Sequence, residues 1–318
     1  LVLGAGFIGS AVVPALIERG HSVIAVTRSH PRREREQLLK DARVVVSEHS
    51  LKVLPNLLAD ADDLIYCVGS ASPRESEVDP ARDISTVLPP LVRVLDLLRL
   101  HPSTRLTFLS SGGTVYGDIP VLPISEQAPT QPISSYGLLK LACENYIHMY
   151  AKLHDVDARI LRVSNPYGPT QDASAGQGLV ARLFGNAVSG DAVVLFGGGK
   201  AVRDYLHVDD LAAAIAGSLA VDQLQPVLNI GSGVGHSSLE VVELVAELTS
   251  ANFEIRLDPP RAYDVQANVL DVSAAKGAIG YTTRDLELGL RDTWAALQQR
   301  GASVAKSRRV PARRADGA

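Results

Sequence analysis

The sequence has few of the residues that build disulfide frameworks and metal centres. Only two cysteines occur in the 318 residues, Cys67 and Cys143, and the 8 histidines are scattered rather than spaced as metal ligands. No metal site is therefore expected, and the scarcity of cysteine suits a reducing compartment such as the cytoplasm. No apolar run reaches the roughly 18 residues of a membrane span, so no membrane partner is expected.

An excess of charge of one sign is also absent. The 31 lysines and arginines nearly balance the 35 aspartates and glutamates, and a net charge of −4 gives no reason to expect a nucleic-acid partner. What the chain does have is apolar content, 46% against 21% charged residues, which predicts a sizeable core in one large domain or two coupled ones. The chain opens without Met inside a predicted strand, Leu1-Val2-Leu3, so we expect that residues upstream are missing.

A glycine fingerprint lies between this first strand and a predicted helix. The stretch reads Gly4-Ala5-Gly6-Phe7-Ile8-Gly9. In such a motif the first glycine makes the tight turn, the second lets the backbone approach a pyrophosphate, and the third lets the helix pack closely on the strand. Free N–H groups at the helix N-terminus then face the phosphates. The motif predicts a dinucleotide cofactor, and a plain glycine turn is the alternative.

The end of the second predicted strand, Ser22–Val26, distinguishes two forms of the cofactor. An acidic residue there would bond the ribose 2′-hydroxyl of NAD, whereas an arginine accommodates the 2′-phosphate of NADP. The sequence has Thr27-Arg28 at this point, with Arg32 and Arg33 nearby. Arg28 therefore favours NADP, while NAD and a merely exposed basic turn stay open.

A tyrosine and a lysine four residues apart, Tyr136 and Lys140, indicate acid–base chemistry. On a helix this spacing places both side chains on one face. A free phenol has a pKa of roughly 10, so making it a base at neutral pH requires about 4 kcal/mol of stabilisation of its anion. An ammonium group about 4 Å away supplies that order of energy at an effective dielectric constant of about 20. The pair could take a proton from a sugar hydroxyl; an ordinary half-exposed helix is the alternative.

Apolar runs alternating with helical patterns predict an α/β fold with a doubly wound parallel sheet. The predicted strands after the first two are Val44–Val46, Leu64–Gly69 and Leu106–Leu109. The last of them ends in the hydroxyl- and glycine-rich stretch Ser110–Gly117, which suits close contact with a sugar oxygen.

Two further patterns concern a helix and a turn. Val87–Leu100 is a predicted amphipathic helix that begins at Pro89-Pro90 or just before. Gly197-Gly198-Gly199-Lys200 lacks the GxxxxGK[ST] spacing of a phosphate loop, so a hairpin turn is predicted there.

Several stretches, taken together, resemble one family. They are Gly4–Ser10, Ser110–Gly117, Tyr136-x-x-x-Lys140, Leu161–Pro169, Val202–Asp210, Leu228–Gly233 and Arg261-x-x-Asp264. Because they occur in order and at plausible distances, the chain resembles an extended short-chain dehydrogenase/reductase of the NAD-dependent epimerase/dehydratase family. It is most similar to the UDP-glucose 4-epimerase-type members, and the resemblance extends to about Leu297.

The resemblance implies an architecture. Residues 1–164, with about 204–230, would form the NAD(P)-binding Rossmann domain. Residues 165–203 and 231–300 would form an interleaved smaller α/β lobe that binds a nucleotide sugar, and residues 301–318 would be a disordered basic tail. A homodimer through two long helices, near Val87–Leu100 and Leu138–Leu153, is implied as well.

The resemblance also implies roles for single residues. Tyr136 would be the general base and acid, and Lys140 would support its anion and bond the nicotinamide ribose. The substrate would be held by Asn165 near its phosphates, Arg203 and Arg261 on its diphosphate, and Asp264 beside its nucleoside. A surface ion pair between Arg203 and Asp204 is the alternative for that arginine.

This sequence departs from the family pattern after the fifth strand. Where many members carry a catalytic Ser or Thr it has Gly112, so the hydroxyl of Ser111 or of Thr114 would have to bond the reacting oxygen. Family dehydratases continue with an acidic pair, and this chain has Gly113 and Thr114 instead. Without a carboxylate there is no evident acid to expel a hydroxyl, which argues against dehydratase chemistry.

The sequence leaves three functions open. The first is an NAD(P)-dependent epimerase that inverts C4 of a UDP-hexose through a transient 4-keto sugar. The second is a one-way NADPH-dependent reductase of a 4-keto nucleotide sugar, which Arg28 favours. The third is a non-catalytic nucleotide-sensing protein on the same fold, which the loss of a hydroxyl at Gly112 favours.

The cofactor assignment yields a direct prediction. Arg28→Ala should weaken NADP binding about tenfold or more while leaving NAD binding nearly unchanged, because only NADP carries the 2′-phosphate. Titration of both cofactors into wild type and variant measures this. Equal NADP affinity in the two proteins would contradict a role for Arg28.

Overall fold

The structure is a computed structural model that describes residues 1–69, 73–173 and 178–308. Its strands are β1 Val2–Leu3, β2 Ile24–Thr27, β3 Arg43–Val46, β4 Asp63–Tyr66, β5 Arg105–Ser111, β6 Ala158–Val163, β7 Asn165–Tyr167, β8 Val193–Phe196, β9 Val202–His207, β10 Val227–Ile230, β11 Gly235–Ser237, β12 Ile255–Asp258 and β13 Ala267–Asn268. Its helices are α1 Phe7–Ile17, α2 Arg33–Glu36, α3 Ser50–Leu58, α4 Pro73–Val78, α5 Pro80–Leu98, α6 Ser135–His154, α7 Leu179–Ser189, α8 Val208–Leu219, α9 Ser238–Thr249, α10 Ser273–Ile279 and α11 Leu286–Arg308.

The main sheet has seven parallel strands in the order β10-β6-β5-β4-β1-β2-β3. Chain order reverses between β1 and β4, and in sheets of this kind ligands bind in the crevice beyond the carboxyl ends of the strands at that point. The predicted doubly wound α/β fold is confirmed.

Both faces of this sheet are buried. Helices α1 and α8 cover one face, where Val12, Leu211 and Ile215 are fully buried. Helices α3, α5 and α6 cover the other face, with Leu91 and Cys143 in the core. Burial on two sides explains why the strands appear in the sequence as continuous apolar runs rather than alternating ones.

A smaller set of strands is built around β9. It pairs with β7 and β13 in parallel and with β11 antiparallel, while β8 pairs only with β12 among the described residues. The hairpin predicted at Gly197–Lys200 is therefore wrong. Three successive glycines with positive φ, from 58° at Gly197 to 71° at Gly199, instead turn the chain from one small sheet into the other.

Helix α5 begins earlier than the sequence suggested. Its first residue is Pro80, preceded by Asp79, whose carboxylate accepts the N–H of Arg82 at 3.0 Å. Pro89 and Pro90 lie inside the helix, so the prediction that they begin it is wrong. An aspartate cap followed by proline is a normal start signal, and here it decides where the helix begins.

The last helix concerns the predicted tail. Helix α11 continues to Arg308, so the backbone of residues 301–308 is helical where disorder was predicted. Residues 309–318 of that tail lie outside the described part of the chain. None of the helices in the described ranges is long and apolar enough to cross a membrane.

Candidate active site

The glycine fingerprint joins β1 to α1 with no room for side chains. A Cβ added at Gly4, where φ is +96°, would lie 2.9 Å from the backbone of Cys67 and Val68. A Cβ at Gly9 would lie 2.2 Å from the carbonyl oxygen of Gly4. Helix α1 begins directly after Gly6 with no side-chain cap, which leaves its first N–H groups at the carboxyl edge of the sheet. This cradle fits the pyrophosphate of a dinucleotide.

Arg28 follows β2 directly and is exposed. Nearby, Arg32 pairs with Asp172 from the segment after β7. Within the described residues Arg28 has no ion pair, so its guanidinium is available to a ligand at the end of β2.

Tyr136 and Lys140 lie in the first two turns of α6, as predicted. Ser134 caps this helix by accepting the N–H of Gly137 at 3.1 Å, and Tyr136 is half-buried. Lys140 is only 5% exposed. Its Nζ donates to the carbonyl oxygen of Leu109 at 2.9 Å and lies 5.9 Å from the centroid of the Tyr136 ring. The ammonium group is therefore fixed beside the phenol by the backbone of β5.

The hydroxyl side of the site is at the end of β5. A Cβ at Gly112 would lie 2.6 Å from Cδ1 of Leu270 and 2.9 Å from the carbonyl oxygen of Arg162, so this position faces the core and has no space for a side chain. Thr114 Oγ1 donates to Ser111 Oγ at 2.8 Å. Among the described residues, no acceptor is found for the hydroxyl proton of Ser111 itself.

A cavity of about 320 Å³ brings together the four predicted substrate-binding residues, Asn165, Arg203, Arg261 and Asp264. The guanidinium carbon of Arg261 lies 3.5 Å from the centroid of the Phe196 ring. Tyr136, Lys140, Ser111, Thr114, Arg28 and the fingerprint glycines are not among the residues that line this cavity.

The acid–base residues and the cavity are nevertheless neighbours. A Cβ at Gly113 would lie 3.6 Å from Oδ1 of Asn165, which lines the cavity. A Cβ at Gly137, the residue after Tyr136, would lie 2.7 Å from the carbonyl oxygen of Thr114. Gly113 is thus in ordinary contact distance of the cavity wall, and the glycine at position 137 lets α6 approach the backbone at Thr114 closely.

One family of known proteins matches most of this chain. The profile of the NAD dependent epimerase/dehydratase family matches residues 1–231. The chain belongs to this family. UDP-glucose 4-epimerase of Mycolicibacterium smegmatis is 32% identical over 288 residues, which cover 88% of this chain and 92% of that protein.

Two solved structures are similar over nearly the whole chain. UDP-glucose 4-epimerase of Thermotoga maritima with UDP-glucose is 32% identical, with a TM-score of 0.86 and coverage of 94% of this chain and 98% of that one. UDP-glucose 4-epimerase of Thermus thermophilus in complex with NAD is 30% identical, with a TM-score of 0.84 and coverage of 93% and 98%. The predicted family is thereby confirmed.

In this member of the epimerase/dehydratase family, Asp204 is buried and holds a loop through hydrogen bonds instead of lying on the surface. It is fully buried and accepts the backbone N–H and the hydroxyl of Ser232 at 2.8 and 2.7 Å, and the N–H of Gly233 at 3.1 Å. Burial raises its pKa against the effect of these donors. The alternative prediction of a surface ion pair between Arg203 and Asp204 is therefore wrong. Among the described residues Arg203 has no carboxylate partner within salt-bridge distance. Burial lowers the pKa of its guanidinium group.

A buried ionic network behind the site was missed from the sequence. Arg162 Nη2 lies 2.7 Å from the Glu144 carboxylate, which also accepts the hydroxyl of Ser110. Arg162 donates as well to the hydroxyl of Tyr116 at 3.0 Å. Because Ser110 precedes Ser111, and Glu144 lies one turn after Lys140, this network fixes β5 against α6. The only sequence signal was the spacing of Glu144 from Lys140.

Two other observations complete the site. Nothing in the sequence marked Arg74, Arg182, Phe196 or Tyr263, which line the cavity from four separate segments.

Among the described residues no three His, Cys, Asp or Glu side chains come together as metal ligands.

The hydroxyl pair yields a prediction about catalysis. Ser111→Ala should lower kcat about a hundredfold with little change in KM, since its hydroxyl would act on the reacting oxygen. Thr114→Val should cost less, because Thr114 acts through Ser111. Steady-state kinetics of the two variants measures the difference. Wild-type kcat in Ser111→Ala would rule out this residue as the acting hydroxyl.

Proposed function

We propose that this protein is an NAD(P)-dependent nucleotide-sugar epimerase that inverts C4 of a UDP-hexose through a transient 4-keto sugar. The observation that carries the proposal is the buried Lys140 beside Tyr136, next to a cavity with arginines for a diphosphate. Similarity to UDP-glucose 4-epimerases over nearly the whole chain supports the same reaction.

The chain's own groups supply the proton chemistry. Tyr136, as the phenolate, takes the proton of the C4 hydroxyl, and Lys140 stabilises its charge. Ser111 donates a hydrogen bond to the same sugar oxygen. A bound nicotinamide supplies the acceptor, and later the donor, of the C4 hydride. Tyr136 returns its proton to the oxygen after the sugar has turned over.

The residues proposed to bind the diphosphate would keep the substrate bound while the keto sugar rotates. Arg203, Arg261 and Asn165 all line the cavity. A guanidinium group can donate two parallel N–H hydrogen bonds to the oxygens of one phosphate. Such bonds would retain the nucleotide while the keto sugar is free to rotate. Asp264 beside them would place the nucleoside.

We further propose that NADP is accepted, because an arginine stands at the end of β2 where an acidic residue would select NAD. The same observation favours a second candidate, a one-way NADPH-dependent reductase of a 4-keto nucleotide sugar. The purified protein separates the two, since an epimerase retains cofactor and needs none added. Stoichiometric consumption of NADPH would instead support the reductase.

We also propose a homodimer through α5 and α6 in the cytoplasm. Helix α6 exposes a row of apolar side chains, Leu138, Tyr146, Met149 and Leu153, and α5 exposes Ile84. Spacings of eight, three and four residues place the α6 row on one face. The absence of a disulfide between Cys67 and Cys143 suits the reducing compartment.

Tyr136→Phe tests the mechanism. Losing the phenolic hydroxyl removes the proton acceptor, so turnover of UDP-glucose and UDP-galactose should fall about a thousandfold or more. Cofactor affinity should stay within about twofold. Chromatographic separation of the two sugar nucleotides measures the reaction, and near-normal turnover in this variant would refute the mechanism.

The dimer face has its own test. Met149→Glu places a charge in the proposed interface and should halve the mass measured by light scattering after gel filtration. The matched control is Val188→Glu, because the Val188 side chain is exposed and lies on α7, outside the proposed interface. This variant should leave the mass unchanged. A dimer that persists in the Met149 variant, or a monomeric wild type, would contradict the interface.

A further inference from the structure

We infer that the sugar of the substrate carries a carboxylate and that Arg74 binds it, which makes the substrate class a nucleoside-diphosphate hexuronate. The inference rests on the proposed function, because it assumes that a nucleotide sugar fills the cavity. It adds a specificity-determining residue that lies outside every motif singled out from the sequence.

The charge of the cavity is the first observation. Four arginines and one aspartate are its charged lining residues within the described ranges: Arg74, Arg182, Arg203, Arg261 and Asp264. Their net charge is +3, whereas the diphosphate of a nucleotide sugar carries two negative charges. A neutral hexose would leave one positive charge uncompensated in a partly enclosed site. A carboxylate on the sugar balances it.

Three of these arginines form a group that we assign to the nucleotide: Arg182, Arg203 and Arg261. Arg261 stacks on Phe196. The pKa of Arg182 is lowered, first by its burial and then by the positive charge of Arg261. Burial lowers the pKa of Arg203, and the negative charge of Asp264 acts against this larger effect to raise it. This group, with an aromatic ring beside it, suits a diphosphate and a base.

Arg74 lies elsewhere, on α4. In this helix Glu77 is one turn further on and accepts the backbone N–H of Ser135. Ser135 immediately precedes Tyr136, and α4 packs against α6. Arg74 is thus about one helical turn from a contact with the first residue of α6. Arg74 therefore lines the cavity from the helix that contacts the start of α6, and we place the reacting sugar beside it.

The chemistry of a hexuronate fits this position. Its carboxyl carbon is two bonds from C4, so a group that contacts the carboxylate must lie near the acid–base residue. Arg74 is exposed and has no salt bridge among the described residues. A guanidinium bonds a carboxylate through two parallel N–H groups, an arrangement that a hydroxymethyl group cannot accept.

Calorimetric titration of the cofactor-loaded protein tests the inference with three probes: UDP, UDP-glucose and UDP-glucuronate. Wild type should bind UDP-glucuronate more tightly than UDP-glucose. Arg74→Gln should weaken UDP-glucuronate about ten- to hundredfold and leave the other two within about twofold. Arg74→Lys should recover part of the loss, because charge returns without the paired N–H groups.

Two control variants sharpen the result. Arg182→Gln should weaken all three probes alike, because Arg182 belongs to the group assigned to the nucleotide that all three probes share. Arg43→Gln, exposed on β3 and away from the cavity lining, should change none of them.

Three outcomes would overturn the inference: equal weakening of UDP by Arg74→Gln, selective loss of UDP-glucuronate in Arg182→Gln, or tighter binding of UDP-glucose by wild type. Selective loss in Arg74→Gln without any turnover of a C4 epimer would leave the inference standing and reject the proposed reaction.

Discussion

The site depends on one buried cation. Lys140 is withdrawn from water, and its ammonium group is tied to the backbone carbonyl of Leu109 in β5. A buried ammonium is costly unless it is hydrogen-bonded, so this contact fixes the position of α6 relative to β5. Tyr136, one turn earlier on α6, and Ser111, two residues beyond Leu109 on β5, are therefore held in fixed positions relative to each other.

Absence of side chains shapes the site as much as their presence. Gly4 and Gly9 let three backbone segments approach closely, and Gly137 lets α6 approach the backbone at Thr114. At Gly112 the backbone faces Leu270, so the hydroxyl lost from this position could not have pointed into the site in this chain. Ser111, one residue earlier, still carries a hydroxyl beside that of Thr114, so the glycine at position 112 does not by itself favour a non-catalytic sensor.

The sequence predicted those parts of the fold and site that depend on local spacing. The glycine fingerprint, the Tyr136–Lys140 pair and the runs of buried strands each lie within a few residues of chain, and the fold they indicated is the one observed. The start of α5 was missed because two interior prolines outweighed the Asp79–Pro80 signal. The turn at Gly197 was misassigned because β8 takes its partner, β12, from residues far away in sequence.

Contacts between distant segments could not be predicted in the same way. The pairing of Glu144 with Arg162 joins a helix to a strand, and nothing local marks either residue as buried. Arg74 lines the cavity from α4, a helix that packs on α6. The position of Asp204, satisfied by the backbone of the loop at Ser232, likewise depends on the sheet around β9.

The most direct test of the account is a crystal structure of the protein with a nicotinamide cofactor and a UDP-hexose. It should show the Tyr136 hydroxyl about 2.6–3.2 Å from the sugar oxygen on C4, with Lys140 still bonded to the carbonyl of Leu109. A phenol turned away from the sugar, with protein side chains filling the space between them, would contradict the proposed chemistry.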